Sequence, residues 1–165
     1  MRHLLGFIVI SFGLSFSSCG QENKTHNKEK NYALSHLIPG KPIGWVSDFE
    51  HIFTESEVNY LDSLISIHKA NTTNELSLVT LNLDTSSIKS PEDFGQFSLK
   101  MFNAWGIGEK GKNNGIGVHM SPNLKMIRIE IGYGLNIKLT DEEAKQIIDR
   151  IIIPEFKNGN YFIGI

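Results

Sequence analysis

The sequence predicts an α/β domain, a three-layer α/β/α sandwich with a small mixed sheet flanked by helices. Three observations predict it. Two capping boxes and one proline-led start each open a stretch with apolar residues at helical spacing. Short runs of strand-like alternation lie between them, and the last two runs are separated only by a tight turn. Helices alternating with strands favour parallel pairing through crossovers, and a final hairpin adds an antiparallel pair, which makes the sheet mixed.

The chain has 165 residues, room for one domain after its leading segments are set aside. Arg2 and His3 precede an apolar stretch from Leu4 to Phe16, too short to span a bilayer as a stable helix. It ends in Phe16-Ser17-Ser18-Cys19, which resembles the lipobox at which bacterial lipoproteins are cleaved and acylated. The resemblance implies that residues 1–19 comprise a lipoprotein signal peptide and its lipidated Cys19, which becomes the first mature residue. The domain would then hang outside the cytoplasm in the bacterial cell envelope, on the periplasmic or the surface side. Each buried methylene of an acyl chain contributes about 0.8 kcal/mol, so two or three chains make a firm membrane anchor. Cys19 is the only cysteine, which excludes an internal disulfide and a cysteine-based zinc site.

Residues 20–39 are polar, without a sustained apolar period, and read as a flexible tether. Pro39-Gly40 and Pro42 then punctuate the entry to a domain over residues 40–165. Its first apolar commitments are Ile43, Trp45 and Val46.

Thr54 to Glu57 is a capping box, with Val58, Leu61, Leu64 and Ile65 at helical spacing behind it, so a helix runs to about Ala70. The run from Glu75 to Leu83 is a largely buried central strand. Ser90-Pro91-Glu92-Asp93 combines an N-cap, a proline at the first helical position and first-turn acids, and leads into Phe94, Phe97, Met101, Phe102 and Trp105. A Gly-, Lys- and Asn-rich loop over residues 106–114 precedes two strands, Ile116 to Met120 and Met126 to Ile131, joined as a hairpin. Thr140 to Glu143 is the second capping box and opens a helix expected to stop at Pro154.

Acidic and basic residues nearly cancel, 18 against 16, so no overall field recruits nucleic acid. Gly106 to Gly111 satisfies the dinucleotide-binding pattern of glycines, but it follows a helix and precedes a strand, the reverse of the required order; no nucleotide cofactor is expected. The histidines show no paired ligand spacing. A phosphatase built from this chain would need a metal-activated water, since no cysteine nucleophile and no aspartate pair at a strand end is present.

Several ordered motifs carry a resemblance over about residues 43–165: Trp105-Gly-Ile-Gly-Glu-Lys-Gly-Lys-Asn-Asn-Gly115, Arg128-Ile-Glu-Ile-Gly-Tyr-Gly134, Leu139-Thr-Asp141 and Ile153-Pro-Glu-Phe-Lys157 with Gly159. Val46-Ser-Asp48 fits the same pattern. This segment resembles the TPM domain family. The resemblance implies a three-layer α/β/α fold, often outside the cytoplasm beside a membrane, with divalent cations bound in some members and an acid phosphatase activity described for one.

Carried over by position, Asp48 stands at the family's first acidic position, and Asn113, Asn114 and Gly115 occupy its Asp-Asn-Gly segment. Asn113 departs from the commoner acid, and Asn136-Ile137 replaces a usual Glu-Gly. The expected metal positions are Asp48, Asn113, Asn114 and Asp141, with Gly115, Glu130 and Tyr133 lining the site. Oxygen ligands favour calcium or magnesium. A plainer reading stands beside this one. Asp48 is then a turn or capping residue, Asp141 a first-turn acid, Asn114-Gly115 a turn, and Gly132-Tyr133-Gly134 a bend. Two functions follow: a membrane-tethered, cation-binding domain with weak metal-dependent phosphatase activity, or a non-catalytic module that binds or assists an envelope protein.

Overall fold

The computed structural model describes residues 32–165, so Cys19, the leader and the tether up to residue 31 lie outside the described residues. Four strands form one sheet in the order β1-β2-β3-β4: β1 Val46–Asp48, β2 Glu75–Thr80, β3 Gly115–Ser121 and β4 Met126–Ile131. β1, β2 and β3 are parallel, with Asp48 opposite Thr80 and Glu75 opposite Gly115; β3 and β4 are antiparallel, with Ser121 opposite Met126. The mixed sheet predicted from the hairpin is present.

Helices cover both faces. α1 occupies residues 32–36, α2 is Glu55–Thr72 and α3 is Pro91–Trp105. Both long helices start where their caps predicted: Thr54 closes a full capping box, and the Ser90 hydroxyl accepts from the Asp93 N–H with Pro91 in the first turn. α3 lays Phe94, Phe97 and Met101 against Val79 and Leu81 on one face of the sheet. α2 lays Leu61 and Ile65 against Val46, Leu78 and Met120 on the other. Ile129, Ala144 and Ile152 close a third cluster on that second face. Successive strands thus send neighbouring residues to opposite cores, as the two-residue period of a strand requires.

Two expectations are corrected. Leu34, within the segment read as tether, is 1% exposed and sits in the core under α3 with Leu37 and Ile38 packed beside it, so the folded unit begins before residue 40. A few apolar residues in a polar stretch give no helical period, yet one buried leucine suffices to dock it. The last helix also does not stop at Pro154. α4 (Asp141–Ile147) passes through a π turn at Ile148–Ile152 into α5 (Ile153–Lys157), and α6 (Tyr161–Gly164) follows. Pro154 lacks an N–H and crowds the preceding turn; the widened turn ahead of it absorbs both defects without ending the helix.

α2 and α3 lie on opposite faces although both connections step one strand over in the same direction along the sheet. Two right-handed crossovers stepping the same way share a face, so one of these two runs left-handed, against the strong general preference.

Candidate functional site

At the end of the sheet where β2 and β3 begin and β4 finishes, three loops meet through their backbones. The Gly132 N–H donates to the Gly115 carbonyl at 2.8 Å, and the Gly134 N–H to the Asn113 carbonyl at 2.9 Å. A Cβ on Gly134 would lie 1.9 Å from the Lys112 oxygen, and one on Gly115 2.2 Å from the Ile107 oxygen. The glycines at these positions permit backbone-to-backbone contact that no other residue allows.

Asn114 locks the same knot with its side chain. Its Nδ2 donates to the Thr73 carbonyl at 2.7 Å, and its Oδ1 accepts from the Glu109 N–H at 2.9 Å. The residue is buried. Both ends of the amide are committed to backbone, which is how a buried amide must be held. Asn113 beside it adopts a left-handed φ of 49°, which asparagine tolerates.

Glu75, which sequence reasoning missed, is the charged member of this knot. Its carboxylate accepts from the Gly108 N–H at 2.9 Å and pairs with Lys69 at 2.5 Å. The Lys69 hydrogen bond, aided by the Gly108 N–H, holds the Glu75 pKa below the ordinary carboxylate value. The Lys69 ammonium also stands 4.6 Å over the Trp45 ring. A lone glutamate opening a strand carries no signal of such contacts.

Tyr133 and Ile137 project from this end. Tyr133 is 86% exposed and Ile137 fully so, within a loop pinned by the glycine contacts and a short 3₁₀ turn at Tyr133–Leu135.

Asp48 is elsewhere. It closes β1 opposite Thr80, five strand steps or about 16 Å along the sheet from Glu75 at about 3.3 Å per residue, and Asn114 lies beyond that far end. Its carboxylate accepts from the Thr80 hydroxyl and from the N–H groups of Ile52 (3.3 Å) and Phe53 (2.9 Å). That arrangement ties the β1–α2 turn to β2. Asp141 is the first residue of α4, behind the Thr140 capping box.

The residues expected to hold a cation therefore do not converge in loops at one end of the sheet. Ligand distances for a hard cation are about 2.3–2.6 Å for calcium, far short of the separation between Asp48 and Asn114. Both ends of the Asn114 amide are already bonded to backbone. Among the described residues no group of three or more His, Cys, Asp and Glu side chains is placed to hold an ion. As a set, these positions do not fit one cation; the Asn113 side-chain oxygen and the Asp141 carboxylate are not joined by a third donor among the described residues.

Glu130 faces α3 with His119 and Ser98. The Ser98 hydroxyl lies 2.7 Å from His119 Nδ1 and also bonds Glu130. Burial, above all, raises the Glu130 pKa; Arg128, 3.1 Å away, opposes this, and the Asp141 charge adds to it. His119 is fully buried, and its pKa falls to about 3. In a nucleophilic triad the histidine stands between serine and acid; here the serine stands between, and Ser98 and His119 are both fully buried. The trio is a core network: Glu130, expected to line the cation site, is instead buried against α3, and His119 showed in the sequence only as an unpaired histidine.

Three comparisons place the chain. The TPM domain family profile matches residues 46–165. The N-terminal domain of a protein from P. gingivalis, solved by NMR in solution, superposes with a TM-score of 0.65 at 26% identity, covering 81% of this chain and 79% of that one. The N-terminal domain of the cg2496 protein from Corynebacterium glutamicum superposes with a TM-score of 0.55 at 16% identity, covering 76% and 75%. No curated protein matches significantly.

Proposed function

Because the chain belongs to the TPM domain family, we propose that it acts as a lipid-anchored, non-catalytic binding module that engages or assists another protein of the bacterial envelope. The observation that carries this reading is the pairing of a rigid backbone knot with two bare apolar side chains, Tyr133 and Ile137, at its tip. An exposed aromatic on a pre-ordered loop buries large area on contact at little cost in conformational entropy. The side chains expected to serve a cation are instead spent on the fold: Asp48 on its own turn, Asn114 on two loops. The membrane anchor at Cys19 belongs to the same proposal and rests on the lipobox-like sequence.

The test combines calorimetry with calcium and magnesium, hydrolysis of p-nitrophenyl phosphate, and a photo-crosslinking residue placed at position 133 in cells, with Leu99 as the exposed control. Cation-independent crosslinks to an envelope protein from position 133, absent from position 99 and lost on Ile137→Ser, are expected. Phosphate-ester turnover that needs added cation and disappears in a folded Asp141→Ala variant would overturn the proposal in favour of a metal-dependent phosphatase.

A further inference from the structure

β4 is an open edge of the sheet. In its ladder with β3 the mutually bonded positions fall at Gly132 with Gly115 and at every second residue before it, Glu130, Arg128 and Met126. The N–H and C=O groups of Ile127 and Ile129 therefore point away from β3. No other backbone bond reaches them among the described residues. Natural sheets cover such an edge, blunt it or use it.

Here the edge forms the floor of a groove of about 660 Å³. One wall is Pro91 and Phe94 at the start of α3; the other is Ala144, Ile148 and Ile153 along α4, the π turn and α5. Lys125 to Ile129 line the groove consecutively, which the backbone edge of a strand does and a single face of it does not. Flanking helices recess the edge, so an isolated extended segment fits between the walls where the similarly recessed edge of a second copy is blocked.

The rim is polarised. Lys125 stands at the hairpin end, and Asp141 and Glu142 toward the opposite end, where Arg128 is already paired with Glu130. Lys145, between them, is already paired with Asp149. On the wall formed by α4 and the π turn, Ile127, Ile129, Ala144 and Ile148 demand aliphatic neighbours.

We propose that this groove binds an extended segment of a protein partner, which adds to β4 as an antiparallel fifth strand with aliphatic residues at alternate positions, a basic residue at its amino end and an acidic one at its carboxyl end. Main-chain hydrogen bonds to Ile127 and Ile129 supply the affinity, and the two rim charges fix direction. The site is separate from the Tyr133 loop, and a loop variant such as Tyr133→Ser leaves it intact.

The probe is a synthetic peptide alternating valine and threonine, with lysine first and glutamate last, titrated into the whole chain beside its sequence-reversed counterpart. Slowed exchange of the Ile127 and Ile129 amides is expected, with the reversed peptide weaker by about tenfold or more. Ile127→Pro removes an outward N–H and leaves the β3 ladder intact, and should abolish binding. Should that variant fail to fold, Lys125→Glu decides, since it must erase the preference between the two peptides. Equal affinity for both peptides, no protection at Ile127 and Ile129, or unchanged affinity in a folded Ile127→Pro variant would each overturn the proposal.

Discussion

The hydroxyl of Ser98 lies 2.7 Å from Nδ1 of His119, inside the core between α3 and β3, while Nε2 of the same ring has no hydrogen-bond partner. A Cβ on Gly117 would stand 2.9 Å from that Nε2, so backbone packs where a partner would otherwise be. The ring is held neutral. Its pKa is about 3 in the folded protein against an ordinary 6.5, because burial penalises the imidazolium.

A pH-dependent stability follows from that neutrality. Between pH 6.5 and about 3 the unfolded chain binds a proton at this position that the folded protein excludes, so the residue costs ~1.4 kcal/mol of stability per pH unit as pH falls. Glu130 works the other way. Its folded pKa is raised, so its contribution is full below the ordinary carboxylate value of 4.5 and is lost as pH rises through the folded value. Urea unfolding at stepped pH should show midpoints that fall from pH 7 toward pH 4, and the fall should flatten in His119→Leu. An equally steep acid loss in the leucine variant would show that another group carries it.

The glycines divide into two kinds that unfolding measurements can separate. Gly134→Ala forces a methyl against the Lys112 carbonyl and should cost about 1–3 kcal/mol. Gly95, in the interior of α3, has nothing within 4 Å of an added Cβ, so Gly95→Ala should stabilise by about 1 kcal/mol through helix propensity alone. Equal effects at the two positions would contradict the close approach at Gly134.

Asp48→Ala tests whether that carboxylate serves the turn. Removing it leaves the N–H groups of Ile52 and Phe53 and the Thr80 hydroxyl without their acceptor, a loss of about 2–4 kcal/mol for hydrogen bonds to a charged group. The change should leave the chemical shifts of Tyr133 and Asn113, at the other end of the sheet, unmoved. Shifts confined to that far end, with stability retained, would argue for a role there.

The elements were legible in the chain wherever a local chemical rule fixes them. Thr54, Ser90 and Thr140 announce their helices by capping, and the short Ser121-Pro122-Asn123 turn announces the hairpin, because these signals depend on neighbours in sequence. What was not legible depends on distance. Which ends of the strands carry Asp48 and Asn114 follows from strand direction, and a list of motif residues has no direction. Leu34 docks in the core on one contact surface, below what periodicity can register. The hand of a crossover is likewise invisible in sequence, and here the general rule misleads for one of two. The anchor at Cys19 and the site residues were read from resemblance, and the fold separates Asp48 from the remainder.

Two substitutions restore what the family pattern implies this chain has exchanged. Asn113 carries its backbone carbonyl into the knot by accepting from Gly134, and Asn136 follows one turn later, its N–H on the Tyr133 carbonyl. The Asn113→Asp, Asn136→Glu double variant sets two carboxylates on adjoining loops of one rigid scaffold, near backbone oxygens already crowded by the glycine contacts. Calorimetry should then detect calcium binding in the range of about 10⁻⁴–10⁻³ M, the regime of weak extracellular sites, while the unaltered chain gives no heat. Asn114 is the control, because Asn114→Asp turns a donor to the Thr73 carbonyl into a repelling oxygen and should lower stability without adding affinity. Calcium binding by the unaltered chain at the same strength would show that the asparagines never removed the site, and the cation-binding reading would return.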